Sequence, residues 1–389
     1  MERNIKLAYC LAFLKNMWFW LGIWVFYYLK FTNYAGIGLI EMSLVVAMTI
    51  SEIPTGAVAD LLGKKKTLFL SFFLQGFGAF VFVLASHLYW LITAVFIMGV
   101  GGSFYSGTLE ALVFDSLKEK GHEKKYPHII AHITSLSLIA PAICSVIGGF
   151  LYLIEPRLPY LGHAVAYAVG TVLTLLLIEP KIDTEKFSFK NFLVQTKAGF
   201  GLLFEEKELR RQIIILLSVG FVIVICDEML NSFLGVEYGY KPEILGIVWA
   251  GIYLLSALAS QVTPHLKKTM SFATSALIIG FLIAFSLLVS PWLGMILGGF
   301  SLLLRSCLQA IFGNVTSIII NENTPSEYRA TTISTYNLIK NIPYVLTAYL
   351  LGSLADSSSA LTLATILGFS LMLLLAYPLL TRIKSQIFR

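Results

Sequence analysis

Apolar runs dominate the chain, and turn or charge clusters divide them into twelve pieces. They lie near residues 5–29, 37–59, 67–86, 89–117, 128–154 and 160–178, then 209–236, 243–265, 271–289, 292–322, 331–354 and 360–381. A helix needs about 20 apolar residues to cross the hydrocarbon of a membrane. The pattern therefore predicts an all-α membrane protein with twelve transmembrane helices joined by short connections. The longest connection, residues 179–208, divides the chain into a six-helix half at 1–178 and a second at 209–389. In that connection Phe189, Phe192, Leu193, Phe200 and Leu203 share one helical face, with Lys190 and Lys197 elsewhere. This predicts an amphipathic helix lying on the membrane surface, with a plain tether as the other reading.

Composition supports a lipid-facing protein. Of 389 residues, 57% are hydrophobic and 13% charged, with a mean hydropathy of +0.80. A soluble domain carries about 25% charged residues. The formal charge of +6 sits between apolar runs and does not point to nucleic acid. Cys10, Cys144, Cys226 and Cys307 all lie inside apolar segments, without metal-ligand spacing. Neither a phosphate-cradling glycine loop nor a catalytic triad is visible, so the expectation is no enzyme, no cofactor and no metal. The first apolar run is too long for a cleavable signal and lacks a small-residue cleavage site, so it reads as a span.

Lysine and arginine set the orientation. With the N-terminus inside, 22 of them fall on the cytoplasmic side and only Lys30, Arg157 and Lys241 outside. Both termini are therefore expected in the cytoplasm, with the protein in the cytoplasmic membrane. Lys15, Arg305 and Lys340 remain inside spans.

The turn after the second span reads Gly56-Ala57-Val58-Ala59-Asp60-Leu61-Leu62-Gly63-Lys64-Lys65-Lys66. Glycines permit a tight reversal and close helix approach, and Asp60 suits a helix N-terminus. This stretch resembles the loop signature of the major facilitator superfamily, with Leu61 where that family usually carries arginine. A shift of 203 residues lays Lys64-Lys65 on Lys267-Lys268, a weak sign of an internal repeat. The resemblance implies two six-helix halves of the major facilitator fold and alternating access to a central cavity. It also implies gating roles for Gly56, Asp60, Gly63, Lys64, Lys65, Asp115 and Arg329, with Asp60 pairing near the start of span eleven. Ala140-Pro141, with Gly148-Gly149 further on, departs from the glycine-proline pattern of drug antiporters in span five.

An ionisable group inside a span costs roughly 2.5–3.5 kcal/mol and marks a candidate site. Lys15 and Asn16 lie in span one, Glu110 in span four, and Asp227, Glu228 and Asn231 in span seven. Arg305 and Gln309 lie in span ten and Lys340 in span eleven. By the resemblance, spans one, four, seven and ten line the cavity. A buried carboxylate holds its proton to higher pH, which makes Glu110 the first choice as proton carrier and Asp227 the second. Arg305 is read as an anion holder or as a counter-charge to Asp227 or Glu228. His132 is expected to pack or cap. Trp20, Trp24, Tyr27 and Tyr28 are expected in an interfacial aromatic belt, with a cavity wall that stacks flat substrates as the other reading.

The expectation is a monomeric, secondary active transporter of a small organic solute, whose partners are that solute, protons and the bilayer. Proton-coupled export of amphipathic compounds leads. Proton-coupled uptake of a small organic anion is the alternative, and a non-transporting receptor or scaffold on the same fold comes from another class.

Overall fold

The computed structural model describes residues 2–180, 197, 200–201, 203–204, 207–324 and 329–387. For residues 52–61, 207–208, 267–269, 330–331 and 377–387 it gives the backbone path alone. Among the described residues the chain is helical, without strands. Among the described residues, nine helices are long and apolar enough to cross a membrane. Two shorter apolar helices, Phe272–Leu288 and Ala360–Ala376, and the interrupted segment Glu2–Tyr28 account for the rest of the twelve crossings. Large side chains such as Ile154 (75% exposed), Trp292 (77%) and Leu346 (72%) stand on the outside. Water does not favour such a surface; lipid does.

The described chain clusters into two compact units. One comprises Met1–Phe189 with Lys241–Gly251, the other Lys190–Tyr240 with Ile252–Arg389. The first unit thus takes in the opening of the eighth span, which the sequence pattern places with the second half. The connection read as a surface helix, 179–208, falls for the most part outside the described residues.

In the first unit the helices are α1 (Glu2–Lys15), α2 (Trp24–Tyr28), α3 (Tyr34–Leu62), α4 (Lys64–Val83), α5 (Leu88–Tyr105), α6 (Thr108–Lys118), α7 (Tyr126–Ile154) and α8 (Leu158–Leu175). α4 packs on α5 and α8, α3 on α5, and α1 on α7 and α8. Proline sits in the first turn of α7 and α8, where no amide hydrogen is needed.

Two sequence expectations change here. Span one is not one helix, because it is unwound between Lys15 and Trp24. Span four breaks at Ser106-Gly107, where Gly107 has φ 71° and starts α6. The aromatic belt is also corrected. Trp24, Tyr27 and Tyr28 are buried, and Tyr27 and Phe82 pack on Tyr160 with ring centres 4.5 and 4.7 Å away. These rings fill the interior of the unit because the tyrosine hydroxyl finds a partner there. Tyr27 donates to the Phe82 carbonyl at 2.7 Å.

The second unit holds α9 (Lys207–Ile225), a π-helical turn at Cys226–Leu230, and α10 (Asn231–Glu237). It continues with α11 (Pro242–Ser260), α12 (Thr263–Thr269), α13 (Phe272–Leu288), α14 (Met295–Glu322), α15 (Arg329–Ser357) and α16 (Ala360–Ile387). Of α11, the residues from Ile252 belong here. α13 packs on α16 and α14, and α9 on α15. Ser271 caps α13 by accepting from the Thr274 amide at 3.2 Å.

Candidate functional site

The loop signature comes first along the chain. Gly63 has φ 88°, a left-handed conformation that glycine adopts without strain. A Cβ at Gly63 would also meet the Glu179 carboxylate at 2.8–3.0 Å. That carboxylate accepts from the amides of Lys64 (2.7 Å) and Lys65 (2.8 Å), and so caps the N-terminus of α4. Lys64 pairs with Asp115 at 2.5 Å. Asn4 ties α1 into the same end, donating to Ser116 and to the Ile178 carbonyl, both at 2.8 Å. Glu179 and Asn4 escaped the sequence reading, because a carboxylate capping a helix from a distant segment leaves no local spacing. The surroundings of Gly56, the side chain of Asp60 and the Asp60 pairing at span eleven lie outside the described residues. Arg329 donates to the carbonyls of Asn321 (3.2 Å) and Thr324 (3.3 Å), tying the start of α15 to the end of α14.

The interruption of span one gathers a second group. α1 ends at Lys15, and Asn16 caps that end by donating to the Ala12 carbonyl at 2.8 Å. Backbone freed by the unwinding needs other partners inside a membrane. Tyr167 donates to the Lys15 carbonyl at 2.9 Å, and His163 Nδ1 meets the Met17 carbonyl at 2.9 Å. His163 Nε2 faces Trp20 Nε1 at 3.4 Å. Donation from Nδ1 and acceptance at Nε2 assign His163 a neutral tautomer. The Lys15 ammonium lies over the rings of Tyr105 (5.3 Å) and Trp18 (5.8 Å) and forms no ion pair among the described residues. Glu110 is an electrostatic neighbour of Tyr105, and its buried Oε2 has no hydrogen-bond partner among the described residues.

In the second unit, the π turn carries Asp227 and Glu228 on consecutive residues. Such turns widen a helix by one residue and recur at functional sites. Asp227 is hydrogen-bonded to Gln309, and both carboxylates face the charge of Lys340. Gln309 and Lys340 line a cavity of about 360 Å³. Ile223, Phe312 and Tyr336 supply its apolar wall, and Asn337 and Thr316 add polar groups. Lys340 Nζ stands 6.0 Å from the centre of the Tyr336 ring.

Arg305 is elsewhere. Its side chain is 2% exposed and does not line that cavity. Nε donates to Asn231 Oδ1 (2.8 Å), and Nη1 donates to Ser301 Oγ (2.7 Å) and Ser286 Oγ (3.0 Å). Tyr238 lies against the guanidinium. The counter-charge reading is thereby corrected: Asp227 and Glu228 face Lys340, while Arg305 joins α10, α13 and α14 through neutral oxygens. His132 is corrected as well. It is exposed rather than packed, and it meets His128 across one helical turn.

Of the residues singled out in the sequence, the structure brings Asp227, Glu228, Gln309 and Lys340 together, and Gln309 and Lys340 line the cavity. Asn231 and Arg305 share a second cluster, and Lys15, Asn16 and Glu110 a third. Apolar helices that hold ionisable side chains around a partly polar cavity define a polytopic membrane transporter. The sequence model of the Major Facilitator Superfamily matches residues 6–348, and the chain belongs to that superfamily.

The chain is 21% identical over 388 residues to the MFS-type transporter YxaM of Bacillus subtilis (strain 168), covering 94% of this chain and 92% of that protein. It is 22% identical over 224 residues to Multidrug resistance protein 1 of the same organism, covering 56% of this chain and 55% of the relative. It is 24% identical over 221 residues to the chloramphenicol resistance protein CraA of Acinetobacter baumannii, covering 52% and 50%. The matched region thus spans about half the length of the two resistance proteins. Among solved structures, the nucleoside transporter NupG superposes with a TM-score of 0.76 at 17% identity, covering 97% of each chain. A POT family transporter in complex with 5-aminolevulinic acid gives 0.76 at 13% identity, covering 97% of this chain and 96% of that one. These likenesses establish the fold.

Proposed function

We propose that the protein exports amphipathic organic compounds in exchange for protons, from a cytoplasmic membrane in which both termini face the cytoplasm. The observation that carries this reading is the Asp227–Glu228–Lys340 group beside the cavity of about 360 Å³. Two carboxylates against one ammonium leave one surplus negative charge when all are ionised. Either a proton or a cationic substrate group neutralises it, and competition between the two is the basis of antiport. The aliphatic and aromatic wall suits the apolar part of such a substrate. Two relatives named for drug resistance point the same way. Glu110, with an unpartnered buried oxygen, is a second proton-carrying group in this scheme.

The test is transport of a lipophilic cationic dye into proteoliposomes under an imposed pH gradient. Wild type accumulates dye when the gradient is present, whereas Asp227→Asn with Glu228→Gln does not. Equal accumulation by both proteins sinks the reading. Asp60→Asn serves as a further control: turnover falls while binding survives, whereas a receptor on this fold is indifferent.

A second reading rests on Lys15, which has aromatic neighbours and no ion pair among the described residues. Such an ammonium attracts a carboxylate or phosphate, as proton-coupled uptake of a small organic anion requires. Counterflow of organic anions that disappears in Lys15→Ala is its signature; counterflow that persists in the variant removes it.

A further inference from the structure

His128 and His132 lie in the first two turns of α7, and both are exposed. Four residues apart on a helix, two side chains share one face. Here their Nε2 atoms stand 3.1 Å apart, nearer than the ring centres at 4.5 Å, and the ring planes cross at 88°. The two nitrogens therefore converge on one point in space. Two metal–nitrogen bonds of about 2.0–2.1 Å spanning that gap subtend about 95–102° at the ion, between octahedral and tetrahedral angles. Tyr9 of α1 meets the His132 ring edge-on at 6.1 Å and restrains its orientation. Among the described residues no third histidine, cysteine or carboxylate joins the pair, so water completes the coordination.

We propose that His128 and His132 form a binding site for a borderline divalent transition-metal ion such as Zn²⁺ or Ni²⁺. Imidazole suits these ions, whereas Mg²⁺ and Ca²⁺ prefer oxygen. The helical spacing matches that of zinc-binding histidine pairs on other helices. Only neutral imidazole ligates a metal ion, so binding releases any proton the pair carries.

The experiment is calorimetric titration of the full chain in detergent, purified through a tag without histidine, with NiCl₂, ZnCl₂ and MgCl₂. Saturable binding of one Ni²⁺ or Zn²⁺ per chain is expected, with none for Mg²⁺. Loss of even an outer partner lowers metal affinity about 10–100-fold, so His128→Ala and His132→Ala are each expected to lose at least about tenfold. His122→Ala keeps wild-type affinity. Should a variant fail to fold, diethylpyrocarbonate labelling of wild type gives an independent readout by mass spectrometry. Ni²⁺ is expected to shield His128 and His132 together while the exposed His87 stays reactive. No saturable Ni²⁺ or Zn²⁺ binding, binding that survives the double variant, or labelling indifferent to Ni²⁺ each overturns the proposal.

Discussion

The two units handle polar groups inside the membrane in opposite ways. In the first, an interrupted helix exposes backbone, and neutral side chains close the gap: Tyr167 on the Lys15 carbonyl and His163 on Met17. In the second, the helix continues through a π turn, whose two consecutive carboxylates face the ammonium of Lys340 on α15. Neutral pins fix a shape. Charges answer to protons and ligands, because each proton gained or lost changes the balance. Under the proposed function, positioning falls to the first unit and response to the second, with Lys15 and Glu110 as the exceptions that test the division.

The largest expected effect lies in the second unit. Asp227→Asn with Glu228→Gln abolishes gradient-driven accumulation in proteoliposomes while leaving the melting temperature close to wild type. A variant that unfolds instead would move these carboxylates to the structural side of the comparison.

Next comes Arg305→Met. It removes a buried guanidinium, leaves Asn231 Oδ1 without its donor and reduces Ser286 and Ser301 to their bond with each other, a loss of about 2–4 kcal/mol in stability. Chemical denaturation in mixed micelles reads this directly. An unchanged midpoint means that Arg305 serves a ligand rather than the fold.

His163→Ala is expected to cost about 1–3 kcal/mol, since the Met17 carbonyl and Trp20 indole lose a partner where water is scarce. Transport by the surviving folded fraction keeps its proton dependence. If that dependence disappears, the neutral-pin assignment fails.

Smallest is Glu179→Gln, which weakens the cap on α4 by about 0.5–1 kcal/mol. Hydrogen exchange at the Lys64 and Lys65 amides speeds up, with the rest of α4 unaffected. Protection that stays the same would show that the cap contributes nothing.

The twelve spans were legible because hydropathy acts over twenty residues and hardly depends on neighbours. The break in span one was not. Residues Met17 to Ile23 are almost uniformly apolar, and a hydropathy profile passes through them without a dip. What unwinds them is tertiary: His163 and Tyr167 hold the backbone, and the Phe19 carbonyl lies against Gly148, where no side chain fits. The charged residues were legible individually, because lipid makes each one costly. Their pairing was not, since Lys340 and Asp227 lie more than a hundred positions apart and Arg305 was an equally good partner on paper. The histidine pair is visible in the sequence as a spacing of four, but that spacing alone does not show that the two rings converge.

The π turn at Cys226–Leu230 amounts to one surplus residue threaded into an otherwise regular helix. Such a surplus behaves like an insertion that the protein absorbed without losing the phase of the flanking turns. Deleting a single residue from this stretch restores ordinary helical winding and leaves the faces of Val219 and Phe233 where they are. It also removes the room that lets two adjacent carboxylates share one lysine. A one-residue deletion here is therefore a change of chemistry with little change of architecture, and related chains differing by this one residue are expected to differ in what drives them.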